Sequence, residues 1–160
     1  MSALDDFIVS WNAPIVPSKS LAGIPLGISV QDFEKNIVQC SIDENKKLYR
    51  FLGSPVLLLE KGFDSNGDGG YGFSVYDREL TNWRLFFNSP DHAGVSTRAL
   101  YVIVRSWKIC AIKAWMFESL KEGDRPVNSY QGRLCGDIGL GDPVHDLLKY
   151  TELEFDNAEE

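Results

Sequence analysis

The stretch DSNGDGGYGFSV, Asp64 to Val75, decides between two folds. Its opening sets oxygen-bearing side chains at Asp64, Asn66 and Asp68, with a glycine at the sixth place, Gly69, as an EF-hand calcium loop does. The twelfth place of such a loop requires a glutamate whose two oxygens close the coordination shell. Here it is Val75, which has none, and the nearest acid, Asp77, is out of register. The flanks also lack the amphipathic helices of an EF-hand. SPVLLLEKGF before the loop is a short apolar run opened by a proline and ended near Gly62. YGFSVYD after it alternates, with Tyr71, Phe73 and Val75 on one face and Ser74 and Tyr76 on the other. Glycines supply positive φ, and Asp and Asn tolerate it, so the stretch reads as the solvated loop of a β-hairpin. No calcium-dependent stability is expected from it.

Outward from this hairpin, further short strands follow. LYRFLG precedes it, and NWRLFFN, ALYVIV and ICAIKAW come after, joined by polar turns such as RELTN and RSWK. Short connections of this kind make an antiparallel meander of about five or six strands. An internal echo brackets the meander. GIPLGISVQDF, Gly23 to Phe33, matches DIGLGDPVHDL, Asp137 to Leu147, pairing Ile24 with Ile138, Leu26 with Leu140, Gly27 with Gly141, Val30 with Val144 and Asp32 with Asp146. Each copy reads as an extended Ile-x-Leu, a glycine turn and a helix start, with Ser29 or Asp142 as N-cap and Pro143 in a first-turn position. The helices run through VQDFEKNIVQ, with Val30, Phe33 and Ile37 on one buried face, and through VHDLLKY. Neither copy has GxGxxG or the lysine of a phosphate loop, so both are capped turns. The expected architecture is α+β: residues 1–160 as a single domain, its central sheet flanked by two short helices. KEGDRPVNSYQG is the one long polar connection and is expected on the surface.

Composition narrows the function. The 160 residues are 44% apolar, which supports a real core and excludes general disorder. No apolar run is long enough to span a bilayer, and MSALDDFIVSW lacks the marks of a signal peptide, so a cytoplasmic protein without membrane association is expected. Cys40, Cys110 and Cys135 are odd in number and form no CxxC pair, which suits reduced, structural thiols. His92 and His145 are the only histidines, and there is no GxSxG elbow. They do not make a zinc set or a hydrolytic triad, and no carboxylate pair stands in an apolar setting that would raise one pKa. Catalytic, metal and cofactor residues are therefore expected to be absent.

Net charge is −7, unevenly placed. The C-terminal segment 151–160, TELEFDNAEE, holds five acids and no base; Glu60 to Glu79 adds Glu60, Asp64, Asp68, Asp77 and Glu79 against Lys61 and Arg78. RALYVIVRSWKICAIK carries Arg98, Arg105, Lys108 and Lys113 with no acid. Trp83, Phe86, Phe87, Tyr101, Trp107 and Trp115 accompany that basic stretch, a combination that binds single strands when a sheet displays it. Alternation assigns most of these rings to the core face, and the overall charge opposes nucleic acid. Trp107 is the exception, because an indole in the tight turn RSWK is hard to bury and an exposed tryptophan is a typical interface anchor.

The GIPLG..V.DF unit, the LYVIV-RSWK-ICAI hairpin and the GLGDPVHDLL unit, in a small acidic α+β chain, resemble the immunity proteins encoded beside bacterial polymorphic toxins of the type VI secretion, Rhs and contact-dependent inhibition systems. The resemblance covers organisation over most of the chain. It implies a non-enzymatic protein that binds one toxin domain tightly and plugs its active site or blocks its movement. The surface expected to do so comprises Asp64, Asp68, Asp77 and Glu79, the C-terminal Glu152, Glu154 and Asp156, and Trp107 as the aromatic anchor. The other function classes are a small-ligand or calcium-binding module and an enzyme with an unrecognised site.

Overall fold

The computed structural model describes residues 6–77, 98–117, 126–134 and 137–143. Its centre is a six-stranded antiparallel sheet whose strand order follows the chain: β3 (Ser41–Asp43), β4 (Leu48–Tyr49), β5 (Leu57–Phe63), β6 (Gly69–Val75), β7 (Arg98–Arg105) and β8 (Lys108–Ala114). Two shorter strands, β1 (Ser20–Leu21) and β2 (Ile24–Pro25), pair with each other ahead of the single described helix, α1 (Val30–Ile37). A 3₁₀ turn, Val38–Cys40, leads from the helix into β3. The fold is thus α+β, built on the expected meander.

Alternation fixes which face is buried. In β5 to β7 the register aligns Leu57 with Val75, Leu59 with Phe73, and Phe73 with Leu100. These residues, with Tyr71, Val102 and Val104, form the covered face, because successive residues of a strand point to opposite sides. Helix α1 lies on that face. Ser29 caps it, its Oγ accepting from the Asp32 N–H at 3.1 Å. Phe33 and Ile37, one turn apart, are buried, and the Phe33 ring stands 4.7 Å from that of Tyr71.

A polar clasp also ties α1 to the sheet. Glu34 Oε1 accepts from Lys61 Nζ at 2.8 Å and from the Tyr71 hydroxyl at 2.9 Å. Burial alone would raise the Glu34 pKa, but hydrogen bonds from Lys61 and Tyr71 and the Lys61 charge hold it below its ordinary value of 4.5. Tyr71 is pushed up, first by burial and then by the Glu34 carboxylate. A carboxylate whose pKa is depressed on folding contributes stability above its unfolded pKa and loses it as pH falls through the folded value. Wild type is therefore expected to lose stability faster than Glu34→Gln as pH drops below about 4.5. Glu34 is nearly half exposed, so the difference should stay under about 1 kcal/mol. Denaturant midpoints of the two proteins across pH 3 to 6, roughly the carboxylate range, measure it.

The described parts of the echoed units share positive φ at matching places, Gly23 with Asp137 and Gly27 with Gly141. In the first, Leu21 pairs with Ile24 across Ala22 and Gly23, both at positive φ, and Gly27 follows at φ +89°. In the second, Leu134 bridges to Ile138, Asp137 has positive φ, and Gly141 follows at φ +90°. Chain segments beside the two units interlock. Ile15 N–H donates to the Arg133 carbonyl at 3.0 Å, Gln131 N–H to that of Trp11 at 2.9 Å, and the Tyr130 hydroxyl accepts from Ala22 N–H at 3.1 Å while donating to the Ala13 carbonyl.

Several expectations are corrected. The polar connection KEGDRPVNSYQG is not all surface: Pro126, Ser129, Tyr130 and Gly132 are buried, because the Tyr130 ring packs edge-on against Trp11 and its hydroxyl satisfies two backbone groups. Strand β6 pairs directly with β7, so no strand stands between them; NWRLFFN itself lies outside the described residues. The place of the sixth strand is taken by β3, which pairs with β4. LYRFLG is strand only at Leu48–Tyr49, after which Leu52 turns to bridge Ser10. Tyr101 faces away from the core, in a row with Glu60, Gly72 and Lys113. Its ring lies over Gly70 and Gly72, where any side chain would collide with it or crowd it, and the Arg98 guanidinium sits 4.9 Å above it. The second expected helix, over VHDLLKY, lies outside the described residues. So do Trp83, Phe86, Phe87, His92, Cys135 and His145.

Candidate functional site

Two hairpin tips meet at one end of the sheet. The β5–β6 loop, Asp64 to Asp68, folds around its first carboxylate: Asp64 Oδ1 accepts from the N–H groups of Asn66 at 2.8 Å and Asp68 at 3.0 Å. Main-chain bonds from Asp64 N–H to the Asp68 carbonyl and from Gly67 N–H to the Asp64 carbonyl close it. The β7–β8 connection is the two-residue turn Ser106–Trp107, with both residues at positive φ, +51° and +65°. That is the type I′ geometry, which matches the twist of the flanking strands but usually takes Asn or Gly. Placing Ser and Trp there costs on the order of 1–2 kcal/mol per residue.

Neighbouring groups hold the turn in this conformation. Ser106 N–H donates to Asp68 Oδ1 at 2.9 Å, and Trp107 N–H donates to the Gly67 carbonyl at 2.9 Å. The Trp107 carbonyl in turn accepts from Val30 N–H at 3.0 Å, satisfying a first-turn amide of α1. Just before the helix, Gly27 N–H donates to the Ile109 carbonyl and Ile109 N–H to that of Ile28. The helix start, the turn and the loop thus form one hydrogen-bonded unit. Since Asn tolerates the left-handed region, Ser106→Asn should keep the Asp68 bond and stabilise the protein by about 0.5–1 kcal/mol. A raised denaturant midpoint at constant m value checks this.

Trp107 is 45% exposed, as its turn position suggested. It does not project freely. One face of the indole lies on Gly67, at φ +79°, where a Cβ would overlap the ring, and the Phe63 ring is 5.6 Å away. Trp107 also borders a cavity of about 550 Å³, lined with it by Ser29, Val30, Gln31, Ser106 and Lys108.

The structure therefore brings Asp64, Asp68 and Trp107 together. Asp77 is not with them: it lies beyond the far end of β6, a strand's length of roughly 20 Å from the loop. Glu79, Glu152, Glu154 and Asp156 lie outside the described residues. The acids of the loop also hold backbone, so their first role is to shape it. Arg105 and Lys108 pair across the β7–β8 hairpin next to the same tip, which makes its charge mixed rather than acidic. Ser29, Val30, Gln31 and Lys108 line the cavity without any local sequence signal of a site. The bond that brings the helix start to the turn joins Val30 to Trp107, and no local pattern announces it.

Among the described residues, no three His, Cys, Asp or Glu side chains gather where they could hold a metal ion. Among them, too, no helix is long and apolar enough to cross a membrane. Burial pushes up the thiol pKa of half-buried Cys40. No protein-family model matches the chain, and neither a curated protein nor a solved structure is similar enough to count as a match.

Proposed function

We propose that this chain is a non-enzymatic binding protein that neutralises a secreted bacterial toxin, in the cytoplasm of the cell that carries it, by forming a tight complex with the toxin domain. The observation that carries the reading is Trp107, half exposed yet held by its backbone, by Gly67 and by Phe63 on the rim of a cavity. An interface gains most from a large aromatic that is already ordered, because little conformational freedom is then lost on binding. Backbone strain at Ser106 and Trp107 is consistent with such a presented side chain, since strained residues cluster at functional positions. The resemblance in organisation to immunity proteins supplies the class of partner. Asp64 and Asp68 would chiefly speed encounter with a basic toxin surface; Asp77, Glu79, Glu152, Glu154 and Asp156 remain candidates for further acidic contacts.

The reading expects an adjacent gene for a large secreted protein with a variable C-terminal domain, and the test is co-expression of that domain with this chain. Wild type is expected to form a one-to-one complex and protect the cell. Trp107→Ala should bind at least about 30-fold more weakly, the loss of a single interface hot spot. Asp64→Asn with Asp68→Asn keeps both oxygen acceptors of the loop and should lower the association rate at low salt while leaving dissociation nearly unchanged. A wild type that neither binds nor protects refutes the assignment, whereas unchanged affinity in Trp107→Ala refutes only the surface.

A further inference from the structure

We infer that the cavity beside Trp107 is a receptor for an aromatic side chain of the toxin domain that has a carboxylate next to it. The inference rests on the toxin-binding reading and concerns the same site, but it reverses the role of the tryptophan. An anchor that inserts into a partner needs both ring faces available. Here Gly67 lies against one face and the Phe63 ring packs 5.6 Å from the indole, so the indole is a wall and the partner supplies the inserted group.

The cavity, about 550 Å³, is within the range that encloses small ligands and has ample room for one ring. Trp107 and Val30 give it apolar surface, and an aromatic ring gains from offset or edge contact with an indole beyond the area it buries. Lys108 is the one charged residue of the lining, and among the described residues its ammonium has no ion-pair partner. The competing idea is a cationic side chain seated on the indole between Asp64 and Asp68. It is disfavoured because neither acid lines the cavity, and each turns its Oδ1 toward backbone N–H groups. An anionic neighbour to the inserted ring would find Lys108 at the cavity wall.

The test uses the full chain alone, with 3-phenylpropionate and 3-phenylpropylamine as probes of opposite charge and the Trp107 indole N–H resonance as readout. The carboxylate is expected to shift that resonance in a saturable way and to bind about three- to fivefold more tightly than the amine, the preference given by one exposed ion pair. Lys108→Met, which keeps the aliphatic stem, should erase the preference without abolishing binding, and Trp107→Ala, followed instead by the backbone amide resonance of Lys108 at the cavity wall, should abolish binding of both. Equal or tighter binding of the amine overturns the anionic occupant. Failure of both probes to shift Trp107 overturns the cavity as a receptor. Because no toxin is used, these outcomes are separate from the functional assignment: a toxin complex weakened by Trp107→Ala would stand even if both probes failed, and saturable probe binding would stand if no toxin bound.

Discussion

Trp11→Ala is expected to lower the free energy of unfolding by about 3–5 kcal/mol, the usual range for deleting a large buried aromatic. Trp11 is completely buried between Phe51, stacked at 6.4 Å, and Tyr130, edge-on at 5.9 Å. Its indole Nε1 donates to the Asn128 carbonyl at 2.8 Å, so truncation removes that hydrogen bond as well as opening a cavity. In a chain of this size the loss corresponds to a fall in Tm of roughly 10 °C. The same ring joins the N-terminal segment to residues 126–134, whose only described strand pairing is a single bridge. Proteolytic cleavage in that stretch should therefore accelerate in the variant, and Trp11→Phe should recover part of the stability. A change in Tm of less than about 2 °C would show that the core does not depend on this residue.

Gly67→Ala has the second largest expected effect, about 2 kcal/mol of destabilisation, from two separable causes. A side chain at φ +79° is strained by about 1 kcal/mol. Its Cβ also overlaps the Trp107 ring, which must leave Gly67 and lose its contact with Phe63. A double-mutant cycle separates them: in a Trp107→Ala background the glycine substitution should cost only the strain, about 1 kcal/mol. The displaced indole should emit at longer wavelength. If the cost of Gly67→Ala is the same in both backgrounds, the loop does not support the tryptophan.

Much of the fold was legible because it depends on local rules. Tyr71, Phe73 and Val75 alternate toward one face, and Val75 removes the acid that a calcium loop needs; hence a hairpin, and around it a meander. Ser29 followed by Phe33 and Ile37 announces a capped helix with one buried face, and α1 has it. Trp107, in a two-residue turn, was bound to be at least partly exposed. Where the reading failed, local pattern was silent or misleading. Tyr130 lies in a polar stretch, yet its ring is core because Trp11, far away in the chain, is there to meet it. Tyr101 alternates correctly but with the opposite face inward, and only its register against Gly72 reveals this.

By itself the sequence determined the α+β class, the central hairpin, the first helix and its cap, and the exposure of Trp107, all consequences of side-chain periodicity and turn chemistry within a few residues. The tertiary structure alone decided what surrounds that tryptophan. Gly67 beneath it, Lys108 and Val30 at its cavity, Asp68 bound to Ser106 and Asp77 at the other end of the sheet all follow from which strand ends meet. Those meetings are set by register and by backbone hydrogen bonds between residues as far apart as Val30 and Trp107. They depend on the whole core closing at once, so no short stretch of the chain carries them.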